Sequence, residues 1–316
     1  MKTIENLIKS ANKIALFFHI NPDGDAVGSA LALYNALKTL GKEVVVFSED
    51  KIDESLRFLD ENVINFSLSK EKFDLGIILD CNETSRIGIM EKILPNCEKL
   101  INIDHHIVSS LASNFDYEIR IESASSTCEI VYKLLKEMNI EITSKVAKCL
   151  YTGLATDTGS FMFSLSSDAH NIAGDLVAKI DNVEEINYVL FRKKRKTEIN
   201  LLTEALKRLE FFLDNKLSIT YLVQEDFEKF NADFSDTSSI VYLLSGLDVS
   251  ISCVISEEKK GVFKVSLRSH DTDVCSFARV FGGGGHKFAS GCKIYGTKNT
   301  VISKIIEKAK EYLGEE

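Results

Sequence analysis

The sequence predicts an α/β protein, with a helix-covered parallel sheet in its N-terminal half and a second, smaller α/β domain behind it. Three observations carry this. Short apolar runs alternate with helical patterns up to about residue 186, the signature of parallel strands joined by helices. After residue 214 the pattern turns to β-rich alternation interleaved with helices. The length of 316 residues, at roughly 100 to 200 residues per domain, makes two domains that each bury a core. The expected division is 1–186, a connecting helix over 187–214, and 215–316.

The first buried strand is expected at 13–19. Val27, Leu31, Tyr34 and Leu37 then recur at helical spacing over 26–40, and Gly41 is a C-terminal stop. Strands follow at 43–47, 74–79 and 99–103. The last two run straight into polar residues, Asp80-Cys-Asn-Glu83 and Asp104-His105-His106. Ser126-Thr-Cys-Glu129 before Ile130, Val131, Leu134 and Leu135 reads as a capping-box helix start. Helices are expected at about 144–156, 168–180 and 183–213, the last carrying Arg192-Lys-Lys-Arg-Lys196 on an exposed connecting face. Strands at 217–222, 249–256 and 261–268 open the second half. In an open parallel sheet the ligand crevice lies just beyond the carboxyl ends of the strands, so those ends are where chemistry is expected.

Composition narrows the function. With 47 acidic against 38 basic side chains the formal charge is -9, which argues against a dedicated duplex-DNA or membrane-surface binder. A small anionic ligand at one local site remains compatible with it. Seven cysteines without a CxxC pair read as buried small hydrophobes of a reducing compartment. The N-terminus has only a short apolar stretch over 14–20, so neither a signal peptide nor a membrane span is expected, and the location expected is cytoplasmic.

Four segments far apart in sequence place acids and imidazoles at the ends of apolar runs. His19-Ile-Asn-Pro-Asp-Gly-Asp25 supplies His19, Asp23 and Asp25, with Gly24 expected to form a tight turn that lets two carboxylates converge. Asp80, then Asp104-His105-His106, then Asp157 at a helix end complete the set. Singly, each reads as a helix cap or a core histidine; together they form a metal site. Gathered carboxylates would repel one another unless cations neutralise them. Oxygen and imidazole donors without thiolate favour Mn²⁺, with Mg²⁺ or Co²⁺ as alternatives. Two such ions, bridged by Asp80, would clamp the attacking and leaving oxygens of a phosphoryl displacement.

These motifs resemble those of the DHH phosphoesterase superfamily. Val265-Ser-Leu-Arg268-Ser and Phe281-Gly-Gly-Gly-Gly-His286-Lys-Phe-Ala-Ser-Gly291 look like the DHH-associated substrate domain. Motif order and length are similar to the nanoRNase and pAp phosphatase branch. The resemblance implies His19 and Asp23 on one metal, Asp25, His105 and Asp157 on the other, and Asp80 between them. It implies His106 facing the scissile phosphate as general acid or hydrogen-bond donor, with Asp104 supporting it. Gly283, Gly284, Gly285, His286 and Arg268 would hold a substrate phosphate, the glycines through their backbone N–H groups and Arg268 through its fork. Arg86 is expected either to touch phosphate or to pair with a carboxylate, and His170 to lie on a helix surface. Ser160-Phe-Met-Phe163 stands where family members often carry an arginine or other polar residue. The implied fold puts the active site in a cleft between the domains. The implied activity is Mn²⁺-dependent hydrolysis of short single-stranded RNA to nucleoside 5′-monophosphates and of pAp to AMP. A homodimer is compatible with the resemblance. A phosphodiesterase for c-di-AMP or pApA, and a non-catalytic nucleotide sensor, are the other readings left open.

Overall fold

The computed structural model describes residues 2–106, 115–162 and 165–314. Phe163 of the Ser160-Phe-Met-Phe163 stretch therefore lies outside the described residues. The chain forms two compact units, Met1–Lys193 and Lys194–Glu316.

The first unit opens with helix α1 (Lys2–Ser10), followed by β1 (Lys13–Phe18), α2 (Gly24–Thr39) and β2 (Glu43–Phe47). Strands β3 (Ile64–Asn65), β4 (Leu75–Leu79), β5 (Leu100–Asp104) and β6 (Tyr117–Arg120) follow, then helices α3 (Thr127–Glu137), α4 (Ser144–Asp157), α5 (Ala169–Val177) and α6 (Val183–Asn187). The strands pair in parallel in the order β3-β2-β1-β4-β5-β6. Strand β4 is buried at every position, as its unbroken apolar sequence requires of a strand covered on both faces. Ile14, Leu16 and Phe18 of β1 face one core with α2 to α5, while Ala15 and Phe17 face another with Phe47, Phe73, Ile87 and Met90. The strand order reverses between β1 and β4, and the crevice of such a sheet opens at that switch point.

In the second unit α7 (Lys196–Lys207), β7 (Glu210–Phe212), β8 (Leu217–Leu222), α8 (Gln224–Phe230) and α9 (Ser238–Leu244) come first. They are followed by β9 (Ile251–Lys259), β10 (Val262–Arg268), α10 (Val274–Arg279), β11 (Gly284–His286), β12 (Ala289–Tyr295) and α11 (Lys298–Leu313). The sheet runs β11-β12-β10-β9-β8-β7, with only β8 and β9 parallel. One face packs on α10 and α11, and the other, through Leu222 and Val254, on α7, α8 and α9.

The continuous helix expected over 183–213 is not there. Helix α6 passes into a short π-turn, Tyr188–Arg192, after which Lys193 and Arg195 are extended. Arg192 and Lys196 would stand one turn apart in an unbroken helix, where like charges destabilise it. Arg195 leaves that geometry to pair with Asp236 and Glu198. Leu201 and Ala205 of α7 are fully buried, so this helix is core rather than an exposed connection.

Candidate metal centre

His19 follows the last residue of β1. Its Nδ1 lies 2.9 Å from the Ile20 carbonyl oxygen. A carbonyl only accepts, so Nδ1 carries the proton and Nε2 is the donor atom presented to the crevice. Asp23 caps α2, its Oδ1 accepting the amides of Asp25 and Ala26 at 3.1 and 3.0 Å. Gly24 is not a turn glycine. It is the first residue of α2, and a Cβ there would meet Thr156 Oγ1 of α4 at 2.3 Å. A Cβ at Gly28 would meet the Cys149 carbonyl at 2.5 Å, and one at Gly153 would meet Cys128 Sγ at 2.2 Å and Asp25 Oδ1 at 2.7 Å. Glycines therefore let α2 and α4 approach closely enough to bring Asp25 and Asp157 into one crevice.

Asp25 is buried at the N-terminus of α3, its two oxygens accepting the amides of Thr127 at 2.6 Å and Cys128 at 2.9 Å. Helix N-termini stabilise a carboxylate in this way. Asp80, one residue past β4, lies at the middle of the set. Its Oδ2 is 3.5 Å from His19 Nε2, and its Oδ1 is 3.7 Å from His105 Nε2, 3.6 Å from His106 Nδ1, and accepts Thr127 Oγ1 at 3.0 Å. His105 Nε2 is also 3.2 Å from Asp157 Oδ2 and 3.9 Å from Asp25 Oδ2. His19, Asp23 and Asp80 form one group with ligand atoms within 4.8 Å of each other; Asp25, His105 and Asp157 form a second; Asp80, His105 and His106 form a third. Asp104 is fully buried and belongs to none of these groups. It accepts the His106 amide at 3.1 Å and faces His106 Nδ1 at 2.8 Å, which leaves Nε2 as the outward atom of that ring.

Charge in the crevice is unbalanced. Burial, with the charges of Asp80 and Asp23, pushes Asp25 well above the usual carboxylate range, and burial with Asp25, Asp80 and Asp23 does the same to Asp157. Burial would depress His19, but Asp23 and Asp80 outweigh it and raise it to about 10. Burial lowers His105, while Asp104 holds His106 up against the same effect. Among the described residues no lysine or arginine pairs with Asp23, Asp25, Asp80 or Asp157. Burial also drives the neighbouring Cys81 and Cys128 thiols well above their ordinary value, and neither belongs to a cluster of donor atoms. A set of carboxylate oxygens and imidazole nitrogens that is buried at His19, Asp25, Asp80 and His105 and opens outward at Asp23, short of positive charge, fits hard divalent cations.

The phosphate-binding candidates fall elsewhere. Arg86 is exposed and among the described residues makes no ion pair; its carbonyl accepts the Ile20 amide at 2.8 Å, bracing the turn that carries His19. In the second unit, Arg268 on β10 and His286 on β11 both align with Ala289 of β12. Residues in line across neighbouring strands share a sheet face, so the two side chains lie roughly 10 Å apart on one face. Gly284 and Gly285 are part of β11, and the amides of Gly282 and Gly283 are engaged by Arg279 and Ala278 at the end of α10. The amides of Gly282 and Gly283 are thus not part of an open nest, each being committed to a carbonyl inside the protein. A Cβ at Gly283 would meet the Gly291 carbonyl at 2.2 Å, which explains glycine there by packing. His170 is exposed on α5 and stacks on Phe161 at 5.5 Å.

Two residues of the centre escape a motif reading. Thr127 bonds Asp25 and Asp80, and Arg120 donates Nη1 to Asp104 Oδ2 at 3.1 Å. Thr127 sits inside a helix-start pattern that already accounts for it, and Arg120 ends a short polar strand with no apolar run to flag it.

The first unit matches the model described as DHH family, N-terminal domain, over residues 13–154, and the second matches the DHHA1 domain over residues 215–315. The bifunctional oligoribonuclease and PAP phosphatase NrnA of Bacillus subtilis is 27% identical, covering 93% of this chain and 94% of its own length. The protein of the same name from Thermus thermophilus is 28% identical over 99% of this chain and 94% of its length. An exopolyphosphatase-related protein from Bacteroides fragilis is similar in structure at a TM-score of 0.90 and 28% identity, covering 99% of this chain and 97% of that one. RecJ of Thermus thermophilus in complex with Mn²⁺ shares the fold at a TM-score of 0.56 and 13% identity, covering 99% of this chain and 54% of RecJ. No helix among the described residues is long and apolar enough to cross a membrane. With the acids and histidines of its N-terminal domain gathered in one crevice and a DHHA1 domain following in sequence, the chain belongs to the DHH family of phosphoesterases.

Proposed function

We propose that this chain is a divalent-cation-dependent phosphohydrolase of the cytoplasm that degrades short oligoribonucleotides to nucleoside 5′-monophosphates and converts pAp to AMP. The observation that carries the reading is the pair of triads, His19/Asp23/Asp80 and Asp25/His105/Asp157, with the two oxygens of Asp80 facing His19 on one side and His105 on the other. Near full-length relatives named for both activities support the substrate class.

Two Mn²⁺ ions held by these triads would polarise the phosphoryl group and supply a nucleophilic water at neutral pH. Of the chain's own groups, Asp104 fixes the ring of His106 through Nδ1, so Nε2 is the atom that gives a proton to the departing ribose oxygen. Arg268 and His286 grip a non-reacting phosphate, and Arg86 adds a cation beside the His19 turn.

The test is turnover of a labelled dinucleotide and of pAp by purified protein with added Mn²⁺, against pApA, c-di-AMP, pyrophosphate and single-stranded DNA. Dinucleotide and pAp turnover above all the others supports the reading. Leaving both intact overturns it, and preference for c-di-AMP or pApA replaces it with a cyclic-dinucleotide phosphodiesterase. Tight pAp binding without phosphate release would make the chain a sensor.

A further inference from the structure

The Asp104-His105-His106 motif has a partner that lies outside every motif of the chain. β6 is one of the two edge strands of the parallel sheet, and its register sets Arg120 directly beside Asp104. Asp104 divides its two oxygens: Oδ1 serves His106, and Oδ2 accepts Arg120 Nη1 at 3.1 Å. The same Nη1 reaches the His106 carbonyl at 3.0 Å. The far side of the guanidinium is held by Glu118 Oε1, 3.1 Å from Nε and 2.5 Å from Nη2, and Glu118 in turn accepts Asn102 Nδ2 at 3.1 Å. Only 10% of the Arg120 side chain is exposed.

We propose that Arg120 is a positioning residue for the hydrolysis, acting through Asp104 on His106; the proposal rests on the function given above. A carboxylate held by one oxygen can swing about its Cβ–Cγ bond, whereas one held at both is fixed in plane. Arg120 supplies the second hold and pins the main chain of His106 with the same nitrogen. The imidazole is thus set from two directions, through its ring and through its carbonyl. A planar fork braced by Glu118 does this; an ammonium, a point charge on a flexible stem, does not hold two acceptors in one plane. Without Arg120, Oδ2 of a fully buried carboxylate has lost its donor, and the group reorients to recover one.

Arg120→Met keeps the apolar stem and removes the fork. With pAp and Mn²⁺, kcat is expected to fall about 10- to 100-fold, the scale of a misplaced catalytic group, with KM within about twofold and calorimetric Mn²⁺ affinity within about threefold of the wild type. Arg120→Lys should recover part of the loss, and ethylguanidinium should restore kcat to Arg120→Ala while leaving the wild type unchanged. A readout free of turnover is the Nδ1–H resonance of His106 in metal-free protein, sharp in the wild type and broadened in Arg120→Met. Wild-type kcat in Arg120→Met, or loss of Mn²⁺ affinity in step with kcat, overturns the proposal. If Arg120→Met does not fold, a folded Arg120→Lys with both wild-type kcat and a wild-type resonance overturns it equally. Failure of the wild type to hydrolyse pAp or dinucleotide counts against the functional reading alone, since the resonance still decides the role of Arg120.

Discussion

Asp80 combines a backbone constraint with a charge. Its φ of 58° is left-handed, a conformation that aspartate and asparagine tolerate and most residues resist by roughly 1–2 kcal/mol. Asp80→Asn therefore keeps the turn and removes only the charge between His19 and His105. We expect it to stay folded, to lose kcat by about 10³-fold or more, and to lose at least one bound Mn²⁺ in calorimetry; wild-type turnover would exclude the bridging role. Asp80→Ala should lose the same activity and add strain, seen as a lower Tm. Arg268→Ala is expected to act differently, raising KM for pAp about tenfold or more with kcat within threefold. Equal loss of kcat at unchanged KM would refute a binding role. Asp80 was legible because an apolar strand ends at it. Thr127 and Arg120 were not, because their meaning lies in partners 47 and 16 residues away that only the folded register supplies.

The strands at 43–47 and 217–222 and the helix over 144–157 were readable because apolar periodicity and burial agree there. The short polar β6 offered no such pattern, and the break at Lys193–Arg195 was hidden under a helix-forming composition that like-charge repulsion and the Asp236 pairing override. The glycine contacts of α2 with α4 were likewise invisible, since a glycine in a helix start reads as a turn until its neighbour is known. Gly28→Ala would drive a methyl to 2.5 Å from the Cys149 carbonyl, a backbone atom that cannot step aside. A cost of about 1–3 kcal/mol is expected, together with weaker Mn²⁺ binding as Asp25 and Asp157 move apart; an unchanged Tm would show that the interface gives way without strain. In the second unit the start of α8 hangs on Asp226, which accepts Arg208 through both oxygens at 2.5 and 2.8 Å and the Val223 amide at 2.9 Å. Burial works against its charge, but Arg208 prevails and holds Asp226 below the ordinary 3.8. A depressed carboxylate contributes stability that is complete above its unfolded pKa and disappears as pH falls through the folded one. Asp226→Asn should cost about 1.5–3 kcal/mol at pH 7, and the difference from wild type should shrink below about pH 4. A difference that stays constant down to pH 2 would remove the ion pair as its cause.

The charge of -9 takes on a different meaning once the fold is in view. Asp23, Asp25, Asp80 and Asp157 converge in the first unit, and two dications there would bring the total to -5. A cation that binds the folded crevice and not the unfolded chain stabilises by RT ln(1 + [L]/Kd), about 2.7 kcal/mol at a hundredfold excess over Kd. For a unit of this size each kcal/mol moves Tm by roughly 2–4 °C, so Mn²⁺ should raise the melting of Met1–Lys193 by about 5–10 °C. Lys194–Glu316 has its own cores and none of the clustered donors, so its transition should stay in place. Calorimetry of the whole chain distinguishes the two, because Asp226→Asn lowers only the second transition and labels it. A chelator should reverse the first shift and leave the second transition untouched. If saturating Mn²⁺ moves neither transition, or moves only the one that Asp226→Asn marks, the crevice is not where the cations bind and the acidity of this chain has another cause.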